Sequence, residues 1–205
     1  MKDVFSPLFI GFKFTNYIND DVDNFLKLYN RKIVAEHTKA VANECKIIAE
    51  KFGVDVQKAE LAGLLHDISA VFSFDERLNI SNNLGLEVLN EEKEFPLILH
   101  QKISAVMAQD IWNINDEHVL SAIGCHTTLQ RNYSELDLVL FIADKIKWDQ
   151  KGIPPYIEQV EEGLKISLEH AAYAYIKYIM ENKENLKVIH PWLTEAYEDL
   201  NFKIN

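Results

Sequence analysis

Six side chains in this sequence sit where an imidazole or a charge needs a reason: His37, His66, Asp67, His100, His126 and Asp144. Asp144 lies within LVLFIADKI, a stretch so apolar that its helix must be mostly buried. A carboxylate there is costly unless it is paired or bound to a metal. His66 and Asp67 follow AGLL in the same manner. Neighbouring residues on a helix point about 100° apart, so this pair reaches one ion only near its shared edge or at a helix end. Imidazole together with carboxylate suits a borderline transition metal such as iron, manganese, cobalt or zinc better than an all-oxygen magnesium or calcium cage. His118 and His170 have no partner at suggestive spacing and read as structural. Cys125, beside His126, and Cys45 read as small buried residues. Glu91, Glu92 and Glu94 read as a solvated acidic patch. Neither a glycine-rich phosphate loop nor a serine nucleophile motif is visible.

The elements that must position these residues are helical. From Arg31 onward, Ile33, Val34, Val41, Ile47, Ile48 and Phe52 recur on or near one face. Gly53 is placed to stop that helix in a left-handed conformation, and Asp55 to cap the next, which carries Ala59, Ala62 and Leu65 towards His66. SFDERLNISNNLG predicts a short helix and a turn, and Pro96 opens a helix through PLILHQKISAVMAQDIW. DEHVLSAIGCHTT and SELDLVLFIADKIKW follow, then a loop between Trp148 and Tyr156. A long amphipathic segment from Ile157 to Met180 comes next, with a last helix after Pro191. Its apolar face of Leu164, Leu168, Ala171, Tyr175 and Tyr178 reads as core, with a homodimer seam as the alternative. No stretch alternates convincingly as a strand. The expectation is an all-α single domain of about seven to nine helices over residues 31–205, preceded by an N-terminal extension, residues 1–30, of open role.

Composition agrees with that class and removes others. The 205 residues are 48% hydrophobic and 26% charged, which excludes wholesale disorder and allows a proper core. With 21 basic against 32 acidic side chains the net charge is -11, which argues against nucleic acid as the main partner, because phosphate backbones want a basic footprint. Small phosphorylated ligands stay open, since a bound metal supplies positive charge locally. Two cysteines are too few for a disulfide framework and fit a reducing compartment. The N-terminal apolar stretch is interrupted by Ser6, Pro7, Gly11 and Lys13 and lacks a cleavage pattern, and no run reaches a membrane span; a soluble cytoplasmic protein without membrane partners is expected.

The ordered set His37, His66-Asp67, His100, His126, Asp144, within EHT, LLHD, LH, HTT and ADKI, resembles the signature of HD-domain metal-dependent phosphohydrolases. The likeness is greatest to the bacterial YqeK-type branch, whose members hydrolyse diadenosine tetraphosphate symmetrically, and it covers about Arg31 to Leu200, including IHPWL at Ile189 to Leu193. The resemblance implies a primary metal on His37, His66, Asp67 and Asp144, with iron as the cofactor (one or two ions) and manganese or another divalent transition metal as substitutes. His100 and His126 either hold a second metal with Asp67 or face substrate phosphates. Asp67 and Lys145 take the catalytic roles, Lys145 offsetting phosphate charge as well. Thr127, Thr128, Asp144, His190, Pro191 and Trp192 complete the contacts to a small nucleotide substrate, Trp192 stacking on a base or, alternatively, packing on the core. Two departures bear on substrate choice. Ala70 stands where family members often carry a lysine, and KWDQKGIPPY replaces an arginine-containing loop; Lys147 and Lys151 are weak substitutes. The implied reaction is attack of a metal-activated water on phosphorus. An HD enzyme for another nucleotide and a non-catalytic nucleotide sensor are the competing readings.

Overall fold

The structure, a computed structural model, describes residues 1–148 and 150–204. Asp149, within the loop expected between Trp148 and Tyr156, lies outside the described residues. Eleven α-helices and no strand occur among the described residues: α1 (Ile18–Leu28), α2 (Lys32–Phe52), α3 (Val56–Leu65), α4 (Phe74–Asn83), α5 (Asn90–Glu94), α6 (His100–Trp112), α7 (Glu117–Cys125), α8 (Glu135–Ile146), α9 (Ile157–Leu164), α10 (Leu168–Glu181) and α11 (Pro191–Ile204). The all-α class is as expected. The count exceeds seven to nine for three local reasons. The N-terminal residues contribute α1, the acidic patch winds into the short α5, and the segment from Ile157 breaks in two where Ser167 caps α10 by accepting from the His170 backbone N–H.

The local signals act where the sequence places them. Gly53 ends α2 at φ 73°, and the Asp55 carboxylate accepts from the backbone N–H groups of Gln57 and Lys58, both at 3.0 Å, to start α3. The buried stripe of α2, however, is Ala35, Thr38, Ala42, Cys45 and Ala49, with Val41 and Ile48 beside it, whereas Ile33 and Ile47 are exposed. Ile47 follows Cys45 by two residues, about 200° round the helix, so it faces the opposite side. Pro96 opens a 3₁₀ turn, Pro96–Leu99, and the α-helix proper begins at His100.

Helix α2 packs along α3 and α8, α7 lies between α6 and α8, and α10 contacts α8, α9 and α11. Within the N-terminal residues, Phe5, Val22, Phe25 and Leu26 are buried in the same hydrophobic cluster as α2 and α3. Phe9 stacks on Phe25 with ring centroids 4.7 Å apart. Leu168 and Ala171 are buried in that cluster as well, and Leu164, Tyr175 and Tyr178 pack half-buried against it. No helix among the described residues is long and apolar enough to cross a membrane. The effect of this packing is to bring four helix ends and the middle of α2 to one point.

Candidate metal centre

Helix termini solve the problem posed by two adjacent ligands. α3 stops at Leu65; His66 caps it and Asp67 leaves helical geometry at φ -113°, ψ 17° before the 3₁₀ turn Ile68–Val71. Both side chains therefore turn towards one centre. His100 opens α6, His126 closes α7, Asp144 lies in the last turn of α8, and His37 projects from α2. His37, His66 and Asp67 form one cluster of ligand atoms lying within 4.8 Å of one another; Asp67, His100 and His126 form a second. Asp67 belongs to both. Its Oδ1 is 3.3 Å from His100 Nε2 and 3.7 Å from His126 Nε2, while its Oδ2 is 3.7 Å from His66 Nε2. The Asp144 Oδ1 atom is 3.1 Å from His37 Nε2 and 3.6 Å from His66 Nε2.

Three of the histidines share a backbone device. The Nδ1–H of His66 donates to the Gly63 carbonyl at 2.7 Å, that of His100 to Leu97 at 2.6 Å, and that of His126 to Ile123 at 2.8 Å. A carbonyl only accepts, so each Nδ1 carries the proton and each neutral ring turns its Nε2 lone pair into the site. Such fixing of the tautomer by an outer partner is characteristic of metal-ligating histidine. The Nε2 of His66 is buried with no hydrogen-bond partner, a costly state for a nitrogen that binds nothing. His100 and His126 bring their Nε2 atoms within 2.9 Å of each other, where two lone pairs repel unless a positive charge lies between them. The donor set, imidazole nitrogen with carboxylate oxygen, fits a divalent transition metal.

The charges are arranged to keep these ligands competent. Partial burial opposes ionisation of Asp67, but the imidazoles of His66, His100 and His126 outweigh it and hold the carboxyl down to about 2. Burial likewise works against ionised Asp144, yet Lys145, His37 and His66 leave it well below the usual carboxylate range. Burial lowers His100 against the pull of Asp67, and lowers His126 strongly with His100 and His66 adding to the effect. His66 moves the other way, because Asp67 and Asp144 overcome its burial.

These shifts set a pH dependence for the metal-free protein. His100 and His126 stay neutral in the fold below about pH 6.5, where a free histidine protonates. The unfolded chain then binds more protons than the folded one, so stability falls as pH drops below that value. His66, with a raised pKa, contributes stability that is present below about pH 6.5 and lost as pH rises through its folded value. The strong lowering of His126, with His100 shifted the same way, leaves a net loss on the acid side. The lowered aspartates lose their contribution only below about pH 4 and do not mask it. The EDTA-treated protein should melt lower at about pH 5.5 than at about pH 7.5, with His126→Gln narrowing the gap. Equal melting temperatures across the range would contradict the assignment.

Around the ligands lies a cavity of about 200 Å³ that includes Thr127, Lys145, Lys147 and Trp148 in its wall. Lys145 is buried, its Nζ 2.6 Å from Asp144 Oδ2, donating to the His126 carbonyl at 3.2 Å and lying over the rings of Phe141 and Tyr175. Its pairing with Asp144 outweighs burial and keeps it protonated. Lys147 pairs with Glu44 at 2.7 Å, and Lys151 is exposed. Thr127 sets its Oγ1 3.2 Å from His100 Nε2. Thr128 is buried, and its hydroxyl donates to the Leu129 carbonyl. Ala70 brings no cation to its 3₁₀ turn. A wider cleft of about 650 Å³ beside Lys2, Asp3 and Asn83 holds no histidine and no converging ligands.

The C-terminal motif stands apart from the metal ligands. His190 is buried with its Nε2 3.3 Å from Glu92 Oε1, and its Nδ1 accepts from the Trp192 backbone N–H at 3.2 Å. Pro191 is the first residue of α11, and the Trp192 ring lies under Lys102 Nζ at 4.7 Å. Glu92 corrects the reading of a solvated patch. It is fully buried, ion-paired to Lys102 at 2.7 Å and accepting from the Leu89 backbone N–H; Glu94 alone of the three is exposed. Gln101 is a residue that the sequence reading missed. Buried behind His100, its side-chain oxygen accepts from the Thr127 backbone N–H at 3.0 Å and its amide donates to Thr128 Oγ1 at 3.2 Å. Only adjacency to His100 pointed to it. The turn it braces ends at Leu129, held at φ 56°.

Helix ends converging on a carboxylate shared by two imidazole clusters define a class, and comparison with known proteins gives it a name. Residues 34–149 match the HD domain family model, so the chain belongs to the HD-domain family. It is 45% identical over 152 residues to an uncharacterized protein in the pepC 5' region of Lactococcus lactis subsp. cremoris, covering 74% of this chain and 77% of that one. It is 33% identical over 138 residues to a symmetrical bis(5'-nucleosyl)-tetraphosphatase of Halalkalibacterium halodurans, covering 66% and 71%. The fold matches the crystal structure of a predicted HD superfamily hydrolase involved in NAD metabolism from Clostridium acetobutylicum, with a TM-score of 0.79 at 24% identity, over 90% of this chain and 97% of that one.

Proposed function

We propose that this protein is a metal-dependent phosphohydrolase that cleaves dinucleoside tetraphosphates, diadenosine tetraphosphate first among them, symmetrically into two nucleoside diphosphates. The observation that carries the reading is the set of three histidines whose Nδ1–H groups are tied to backbone carbonyls while their Nε2 atoms converge on Asp67. The relatives named as symmetrical tetraphosphatases support the substrate class. In this reading His37, His66, Asp67 and Asp144 hold the primary ion, iron or manganese, and His100 and His126 join Asp67 to hold a second. A divalent ion of this kind supplies Lewis-acid charge and makes water a usable nucleophile at neutral pH.

The chain's own groups divide the remaining work. Lys145, kept protonated beside Asp144, sets its ammonium against a phosphoryl oxygen and offsets the charge that builds during in-line displacement. Asp67, held ionised at neutral pH by the imidazoles around it, supplies the carboxylate that both ligand clusters share and would hold the water-activating ions in place. Thr127 offers its hydroxyl to a phosphate, and Gln101 fixes the turn that carries it. The buried walls around Asp144 and His66 exclude bulk water from these groups and strengthen each charge interaction. A nucleoside diphosphate is a good leaving group, so a strong general acid is unnecessary.

Protein purified without oxygen, loaded with ferrous iron or manganese and incubated with diadenosine tetraphosphate should yield ADP alone by chromatography. Paired ATP and AMP would overturn the symmetrical reading. No product at all, with metal bound, would overturn the substrate and direct a nucleotide panel to the missing cation at Ala70.

A further inference from the structure

Trp148 carries a donor with no acceptor. Its indole Nε1–H is buried and has no hydrogen-bond partner among the described residues, whereas a buried indole usually finds one. The residue stands just after the end of α8 and forms part of the wall of the metal cavity, with Asp144, Lys145 and Lys147. Its ring meets Tyr156 edge to face, with centroids 5.9 Å and planes 79° apart. The Tyr156 hydroxyl in turn donates to the Lys145 carbonyl at 3.3 Å. The indole is thus tied to the stretch of chain that places Asp144 and Lys145. Trp112 supplies the contrast. Its Nε1 is also buried without a partner, but it sits among Phe9, Phe14 and Phe25 and takes no part in the wall of the metal cavity.

We infer that Trp148 is a substrate-binding residue, its indole N–H donating to a phosphoryl oxygen of the polyphosphate held at the metal centre. This deepens the phosphohydrolase reading and rests on it for the placing of the phosphates. An indole nitrogen only donates, so its partner has to be an acceptor. The carboxylate oxygens of the cavity are engaged: those of Asp67 face His66, His100 and His126, and those of Asp144 face His37, His66 and Lys145. The acceptor therefore comes with the ligand. The orphaned lone pair of His66 Nε2 calls for a cation, and the orphaned N–H of Trp148 calls for the opposite. An anion lying on the cation satisfies both. The nearby lysines do not duplicate this role, since Lys145 is fastened to Asp144 and Lys147 to Glu44. A neutral donor adds direction rather than charge. The charged groups of the cavity attract any polyanion, whereas one N–H on a ring held against Tyr156 favours one placement of an oxygen. Trp148 thereby sets how the phosphates lie.

The test uses the full chain loaded with zinc, which is diamagnetic, and methylenediphosphonate, whose P–C–P link cannot be hydrolysed, so that neither a nucleoside nor turnover plays a part. With tryptophan labelled at its indole nitrogen, each of the three tryptophans gives one N–H resonance in a nuclear magnetic resonance spectrum. Trp148→Phe and Trp112→Phe identify theirs by loss. The diphosphonate should move the Trp148 resonance downfield and leave that of Trp112 in place. By calorimetry Trp148→Phe, which keeps a flat ring beside Tyr156, should bind the diphosphonate about ten- to a hundredfold more weakly, the loss of one hydrogen bond to a charged acceptor. Trp112→Phe should bind as the wild type does. Absence of diphosphonate binding, an unmoved Trp148 resonance at saturation, wild-type affinity in Trp148→Phe, or equal weakening by both variants overturns the role of Trp148. Binding that moves this resonance and weakens in Trp148→Phe alone, in a protein that leaves diadenosine tetraphosphate intact, upholds that role and removes the tetraphosphatase reading instead.

Discussion

Asp67→Ala is expected to abolish divalent-ion binding and to reduce phosphohydrolase turnover by on the order of a thousandfold or more, the several kcal/mol that a bound metal contributes to such a transition state. Asp67 is singled out because it is the one residue common to both ligand clusters. Losing His126 would thin the second cluster and leave the first whole; losing Asp67 removes the one carboxylate that the two clusters share. What remains is four imidazoles and Asp144 around a gap, with His66, His100 and His126 still tied through Nδ1 to their carbonyls. Those rings can all be neutral at pH 7, so the variant should fold, and its failure should be chemical. Asp67→Asn preserves shape and one oxygen but not charge, and should lose the ion as well. Metal content of the purified variants by mass spectrometry, beside kcat on diadenosine tetraphosphate, reads both effects. Wild-type turnover in Asp67→Ala would remove Asp67 from the chemistry.

That such a variant can be named reflects which residues carry their meaning locally. The ligands were legible because each stands at a helix end or inside an apolar run, where its type is conspicuous, and because their order along the chain matches a known pattern. Gly53 and Asp55 were legible for a similar reason: a left-handed stop and an N-cap act within a few residues. Glu92 was not, because its neighbours Glu91, Lys93 and Glu94 give it the look of a solvated run, while the partners that justify its burial, Lys102 and His190, are 10 and 98 residues away. Ile33 and Ile47 were misplaced for the converse reason. Hydrophobicity favoured them, but α2 buries a stripe that includes Ala35, Ala42 and Ala49, whose small side chains let a neighbouring helix approach closely. The branching of one apparent amphipathic segment into α9 and α10 turned on a single cap, Ser167.

The same close approach makes Gly63→Ala a substitution with a large expected effect on stability. A methyl group built on Gly63 would lie 2.6 Å from the Ala42 Cα and 2.9 Å from its backbone nitrogen. Those are main-chain atoms of α2, which cannot swing aside as a flexible side-chain tip would. Adding one carbon therefore forces α2 and α3 apart where Gly63 meets the Ala42 backbone, at a cost of about 1–3 kcal/mol or somewhat more. For a chain of this size that should lower Tm by several degrees, about 2–4 °C per kcal/mol. The consequence reaches the metal centre, because His37 rides on α2 while His66 and Asp67 end α3, and the Gly63 carbonyl itself accepts the proton of His66 Nδ1. Separating the helices should then weaken the primary ion more than the second one, since His100 and His126 belong to α6 and α7. Thermal melts in EDTA read the packing cost directly, and metal titration reads the displaced ligands. An unchanged Tm would mean that α2 and α3 do not meet at Gly63. A lower Tm with unaltered metal affinity would mean that the ligands are placed by their own turns rather than by the spacing of these helices.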